Sequence, residues 1–271
     1  MSKVKVETVE GVAIVTLSDP ATMNAAGVDL IIELTETFRR LAAGEIEARS
    51  VVITGEGRGF CSGANLSGGG AAASAREAPA DGAPRQNDAG SALETHYNPF
   101  ITLLRDFPLP IVTAVNGPAA GVGCSLALMG DLIVAGESAY FLQAFRRIGL
   151  VPDCGSTWIL PRLIGRARAI ELSLLGERLP AEKALEWGLV NRVVDDAALA
   201  EETQKLAHDL ANGPTIALSL IRRLYWESPE NSFEQQIDME KQSQVAAGRT
   251  EDFKEGIAAF LEKRPAKFKG R

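Results

Sequence analysis

The sequence is poor in the residues that build metal centres and disulfide frameworks. Its 271 residues include three cysteines, Cys61, Cys124 and Cys154, and two histidines, His96 and His208. No CxxC pair occurs, which argues against a zinc site and against a disulfide-stapled fold. Thiols used this sparingly fit a reducing, cytoplasmic setting. Positive charge is also short: 28 Lys and Arg stand against 35 Asp and Glu, a net charge of −7. A nucleic-acid or anionic-membrane partner therefore has no bulk electrostatic support. The opening MSKVKVETVE lacks the apolar core of a leader, and no uninterrupted apolar run approaches the ~20 residues of a membrane span. What is present is ordinary for a soluble globular chain, 46% hydrophobic and 23% charged, and long enough for a substantial core.

Periodicity predicts the elements. Val4–Val9 and Val12–Leu17 alternate about Glu10-Gly11 as a hairpin. Asp29 to Leu41 has helical spacing, with Leu30, Ile31, Leu34, Phe38 and Leu41 on one face. Arg49 to Thr54, Ile111 to Val115 and Asp131 to Ala135 are apolar and β-branched, as in buried sheet layers joined by crossovers. Ser67 to Ser91, rich in Gly, Ala and Pro, predicts a long surface loop, a feature that is often functional. From Ala181 onward the pattern turns helical, over Ala181–Trp187, Ala197–Ala211, Thr215–Trp226, Phe233–Ala247 and Glu251–Lys263, with the change of region near residue 195. The expectation is an α/β core over 1–195 followed by a helical C-terminal region over 196–271.

NGPAAGVGCSLAL, Asn116 to Leu128, follows the Ile111–Val115 strand. A P-loop would need a lysine after its last glycine, and there is none here. Gly123-Cys124-Ser125-Leu126-Ala127 approximates a nucleophile elbow, with Asp153 and His208 following in hydrolase order. The elbow's strand-to-helix turn is displaced, however, and its last glycine is Ala127. A third reading uses the backbone. Small residues let the chain approach a ligand, and a helix start leaves N–H groups free to hold an oxyanion. Gly59 to Leu66 repeats this pattern after the Arg49–Thr54 strand. For each segment alone, a tight packed turn is the competing explanation.

The ordered set of motifs resembles the crotonase family, the enoyl-CoA hydratase/isomerase superfamily, over nearly the whole chain. The set comprises PATMNA at 20–25, Gly59–Leu66, Asn116–Leu126, GLVPD at 149–153, Gly188-Leu189-Val190 and the closing EGIAAFLEKRP at 255–265. The resemblance implies a spiral of β-β-α units with a helical C-terminal part. The family's two oxyanion N–H groups fall on Ala64 and Val122, flanked by Ser62, Gly63 and Gly121. They would hold the thioester carbonyl of an acyl-CoA and stabilise its enolate. The backbone around Asn24 and Ala25 matches the family's CoA contacts, as do Phe260 and Lys263, typically from a neighbouring subunit; Arg58 could face a CoA phosphate. For Arg58 and Lys263 a solvated surface charge is the alternative, and for Phe260 a packed core face. The resemblance also implies a homotrimer or a dimer of trimers. It implies no cofactor beyond the CoA of the substrate.

Two departures bear on chemistry. The family hydratases' two glutamates match Ser125 and Phe145, neither of which activates water or delivers a proton unaided. One acid remains in the pattern, Asp153. In the resemblance it corresponds to the working base of several isomerases, and Pro-Asp-Cys-Gly-Ser-Thr-Trp with Tyr97-Asn98-Pro99 is most like enoyl-CoA isomerases, including the ring isomerase of phenylacetyl-CoA degradation. Burial against Phe145, Phe141 and Trp158 would raise its pKa. Phe145 and the Ser67–Ser91 loop are expected to line the acyl pocket. Asp153 could instead cap a helix opening near Cys154. The functional expectation is an enoyl-CoA isomerase. Beside it stand a hydratase with non-standard residues, a non-catalytic acyl-CoA-binding relative, an aryl-CoA dehalogenase with His96 as base, and a Ser125 hydrolase.

Overall fold

The computed structural model describes residues 2–65 and 90–271. β1 (Val4–Val9) and β2 (Val12–Leu17) form the expected hairpin, with Val9 opposite Val12. Glu10 and Gly11 both take positive φ at the turn, the conformation that matches strand twist in a two-residue loop. α1 (Val28–Ala42) buries Leu30, Ile31, Leu34, Phe38 and Leu41, the five residues its spacing singled out. Asp29 in its first turn and Arg39 and Arg40 in its last complement the helix dipole. β3 (Ser50–Gly55) runs parallel to β2.

Of the loop expected over 67–91, residues 67–89 lie outside the described residues, and Gly90 and Ser91 are helical rather than loop. They open α2 (Gly90–Ala92), which passes through a π-helical turn at Leu93–Tyr97 into α3 (Asn98–Arg105). Phe38 of α1 meets Phe100 and Phe107 edge to face, with ring centres 5.8 and 5.0 Å apart.

The chain then makes two similar passes. β4 (Ile111–Val115), β5 (Pro118–Ala120) and α4 (Val122–Ala127) form the first. β6 (Leu132–Gly136), β7 (Tyr140–Leu142) and α5 (Ser156–Leu175) form the second. β8 (Leu179–Pro180), α6 (Ala181–Trp187) and β9 (Arg192–Val194) follow. In each pass one strand enters a six-stranded sheet, ordered β1-β2-β3-β4-β6-β9, and the next enters a three-stranded sheet, ordered β5-β7-β8. This is the spiral of β-β-α units. The strands of the small sheet went unread in the sequence because two or three residues are too few to show a period.

The large sheet is covered on both faces, which is why its central strands are mostly apolar rather than alternating, with buried Thr113 bonded to the Ala127 carbonyl. Val51, Ile53, Ile111 and Val115 face the main core with α1 and α3. Val12, Val52, Val112 and Val134 pack with Leu199, Ala207 and Ala211 of α7 (Leu199–Ala211). The helical C-terminal region thus begins with a helix seated on the sheet. It continues as α8 (Thr215–Glu227), α9 (Phe233–Ala247) and α10 (Glu251–Glu262). Buried Arg222 anchors α8: it pairs with Asp131 at 2.8 Å and donates to the carbonyls of Leu104, Arg105 and Phe107, where α3 ends.

Candidate active site

The segments that leave β3 and β4 are locked side by side. Asn116 donates to the carbonyls of Gly55 and Gly57, at 2.8 and 2.9 Å, and accepts from the Gly55 N–H. Cys61 N–H donates to Pro118 and Ala120 N–H to Cys61, at 3.0 and 2.9 Å, which extends the small sheet across the two segments. Glycine is required where the backbones touch. A Cβ on Gly123 would lie 2.3 Å from the Cys61 carbonyl oxygen, and one on Gly117 would lie 2.4 Å from that of Arg58. The glycines and alanines of 116–128 therefore bring two backbone strips together.

That contact sets up two free amides. Gly63 (φ +108) and Gly121 (φ +53) adopt conformations that L side chains rarely take. The Gly63 carbonyl accepts the Ala26 N–H at 2.7 Å, and the Gly121 carbonyl accepts the Ser125 N–H at 3.1 Å. A trans peptide points its N–H opposite its C=O. The N–H groups of Ala64 and Val122 are thus left on the far edges of these peptides, with no acceptor among the described residues. Val122 is also the first residue of α4, where a helix leaves its amides open.

Both amides border one cavity of about 260 Å³, walled by apolar residues including Leu93, Tyr97, Phe145 and Leu150. Asp153 is its one acidic lining residue among the described residues. Its Oδ1 is buried without a hydrogen-bond partner. Burial pushes its carboxyl above the ordinary range, and a hydrogen bond from the Cys154 thiol offsets part of that rise. The capping alternative for Asp153 fails, because α5 has Gly155 as its N-cap and no side-chain cap. Cys154 and Gly155 take successive left-handed conformations, φ 51 and 78, before α5 begins. The arrangement can hold a carbonyl oxygen at two amides and present a carboxylate of raised basicity to a neighbouring carbon.

The remaining residues divide. Ser62, Gly63, Gly121 and Phe145 line the cavity as expected. Phe141 and Trp158 do not line it. Phe141 is core, and Trp158 stacks on Trp226 with ring centres 5.7 Å apart. Asn24 is fully buried, and its side chain is spent on the Glu56 and Gly59 carbonyls and the Asp19 N–H. The Asn24 and Ala25 amides bond to Asp19 O and Thr22 Oγ1. Both residues brace the first segment from behind, since Ser62 N–H donates to Met23 O at 2.9 Å. Arg58 is exposed and outside the cavity wall. Phe260, 82% exposed, and Lys263 sit on and just after α10 and do not line the cavity of their own chain. His96 is likewise absent from its lining.

The nucleophile reading of Ser125 does not survive. The side chain is fully buried, and its hydroxyl donates toward the Asp153 and Gly121 carbonyls, at 3.1 and 3.4 Å. His208 lies on α7 and meets Glu10 at 3.2 Å instead. Sequence reasoning missed Tyr97 as a cavity residue; its hydroxyl donates to Ala26 O at 2.7 Å, beside the Gly63 peptide. Its only signal was its place before Asn98-Pro99, where α3 starts.

Known proteins share this sequence pattern and this fold. The model of the family described as Enoyl-CoA hydratase/isomerase matches residues 7–271. The chain is 42% identical over 262 residues to 1,2-epoxyphenylacetyl-CoA isomerase of Escherichia coli, covering 97% of this chain and 96% of that one. It is 40% identical over 268 residues to a probable enoyl-CoA hydratase of Rhodobacter capsulatus, covering 99% and 98%. The crystal structure of an enoyl-CoA hydratase from Bacillus anthracis superposes with a TM-score of 0.89 at 29% identity, covering 99% of this chain and all of that one. With its crotonase fold and its paired open amides, the chain belongs to the enoyl-CoA hydratase/isomerase family.

Proposed function

We propose that the protein is an acyl-CoA isomerase that moves a double bond by proton transfer at Asp153. The thioester carbonyl of the substrate sits between the Ala64 and Val122 amides. Asp153 takes a proton from Cα, the electron pair delocalises onto the thioester oxygen, and the same carboxyl returns the proton to Cγ. One proton and one electron pair move within the substrate, so the reaction needs no redox cofactor and no metal. Each oxyanion donor contributes about 3–4 kcal/mol where the enolate charge develops. The observation that carries this reading is that Asp153 is the single acid lining the cavity among the described residues, with an unpaired buried oxygen. Hydration would need groups to activate water and deliver a proton, and Ser125 is committed to carbonyls while Phe145 is apolar. The 42% identity to a ring-epoxide acyl-CoA isomerase supports the same direction, including a cyclic acyl group.

The substrate-binding site is completed between subunits, in a trimer or a dimer of trimers. Phe253, Ile257, Phe260 and Leu261 leave an apolar face of α10 in solvent, and Phe260 and Lys263 would close the CoA end of a neighbour's cavity. The backbone around Asn24 and Ala25, with Arg58, would meet the CoA at that end. The three unpaired, buried thiols fit work in the cytoplasm.

The test is a side-by-side assay of a 3-enoyl-CoA, a 2-enoyl-CoA and a ring-epoxide acyl-CoA. Isomerisation of the first or third without hydration of the second is the expected result. Efficient hydration with little isomerisation would overturn it, and CoA binding without Cα proton exchange in deuterium oxide would leave only a binding protein.

A further inference from the structure

The buried hydroxyl of Ser125 joins the two halves of the cavity's chemistry. Its Oγ lies 3.1 Å from the Asp153 carbonyl oxygen and 3.4 Å from the Gly121 carbonyl oxygen. The first carbonyl belongs to the residue that carries the cavity's carboxylate. The second belongs to the peptide whose N–H is that of Val122. Asp153 O also accepts the Ser156 hydroxyl at 2.9 Å and the Ser156 N–H at 3.1 Å. Those two bonds are internal to the 153–156 turn and travel with it. Ser125 reaches it from α4, 28 residues earlier in sequence. Its bond therefore fixes the turn relative to the oxyanion peptide.

We propose that Ser125 is a positioning residue: by bonding the Asp153 carbonyl from the helix that presents the Val122 N–H, it sets the distance between base and oxyanion site. The inference rests on the reading of Asp153 as the base. Proton abstraction depends steeply on that separation, because the α-carbon is one bond from the carbonyl held at Val122 and a displacement of about 1 Å costs about 10²-fold. Nothing in this role needs Ser125 to touch substrate, in keeping with its complete burial. A methyl in place of the hydroxymethyl group leaves helix and cavity intact and removes the tie.

The experiment compares kcat, KM and the pH profile of isomerisation for wild type, Ser125→Ala, Asp153→Asn and the double variant. The isosteric pair Ser125→Thr and Ser125→Val is added to isolate the hydroxyl. Expected are a kcat about 10-fold lower in Ser125→Ala with KM within about 3-fold, and no further loss when Ser125→Ala is added to Asp153→Asn. The threonine variant should exceed the valine variant by about 10-fold in kcat, even if alanine impairs folding. Equal rates for threonine and valine, or the same fold-loss from Ser125→Ala in the wild-type background and on the residual rate of Asp153→Asn, would overturn the positioning role while Asp153→Asn stays far below wild type. Full activity of Asp153→Asn would instead remove the base, and the proposal with it.

Discussion

Gly63 and Gly121 face each other backbone to backbone: a Cβ built on Gly121 would stand 3.8 Å from the Gly63 Cα. This approach places the Ala64 and Val122 amides on one cavity. Both glycines have positive φ, and a Cβ on Gly63 would lie 3.1 Å from the Ala120 carbonyl oxygen.

Alanine at Gly63 or Gly121 is expected to cost about 1–3 kcal/mol of backbone strain. If the strain is relieved by turning the peptide, one oxyanion donor is lost and kcat falls about 10²- to 10³-fold. Steady-state kinetics on folded variants tests this. Wild-type kcat in both would mean that these amides do not hold the reacting oxygen.

The raised pKa of Asp153 makes two opposite demands. As a base it must be ionised, so kcat/KM should fall as pH drops through that raised value, and the acid limb should lie above the range of an exposed aspartate. For stability the sign is reversed. A carboxyl whose pKa is raised on folding contributes stability below its unfolded pKa and loses it as pH rises through the folded one. Asp153→Asn should therefore be inactive yet melt at a higher temperature than wild type at pH 7, with the difference shrinking toward pH 4. A variant less stable than wild type at pH 7 would contradict the burial argument.

Arg222 holds the seat of α8 through one carboxylate and three carbonyls. Arg222→Ala strands the Asp131 carboxylate and the end of α3, and should destabilise by about 3–5 kcal/mol in urea unfolding. Asp131→Asn should cost less, because it leaves no buried charge of its own and Arg222 keeps its carbonyl partners. The reverse order would mean that the ion pair outweighs the carbonyl cap.

A shared site predicts complementation. Asp153→Asn and Phe260→Ala subunits are expected to be poorly active alone. Co-refolded together, they should regain activity, since some sites then combine an intact Asp153 with a neighbour's Phe260. Activity no higher than the average of the parents would place Phe260 outside the site.

The large sheet and α1 were legible because their cause is local. Val51 to Ile53 and, apart from Thr113, Ile111 to Val115 are apolar on both faces, and both faces are buried. The backbone amides were legible for a related reason: glycine is conspicuous, and few residues replace it where two chains touch. Side-chain roles were read less well. The backbone around Asn24 is the expected CoA contact; what its sequence neighbours do not show is that its side chain reaches the Glu56 and Gly59 carbonyls and braces the segment between them. Nor does the sequence show that Trp158 stacks on Trp226, far along the chain.

The sheet-forming runs, the glycines where the two backbone segments touch, and the lack of any carboxylate at 125 or 145 can all be read from the amino-acid order alone. Those properties belong to single residues or to short-range order. Three-dimensional packing alone brings Asp153 to the cavity wall without capping α5, and ties the Ser125 hydroxyl to the Asp153 carbonyl. Both depend on contacts between α4 and the turn before α5, segments that two strands and a reversal of chain direction separate. Side-chain environment is set by such long-range packing, which no local pattern encodes.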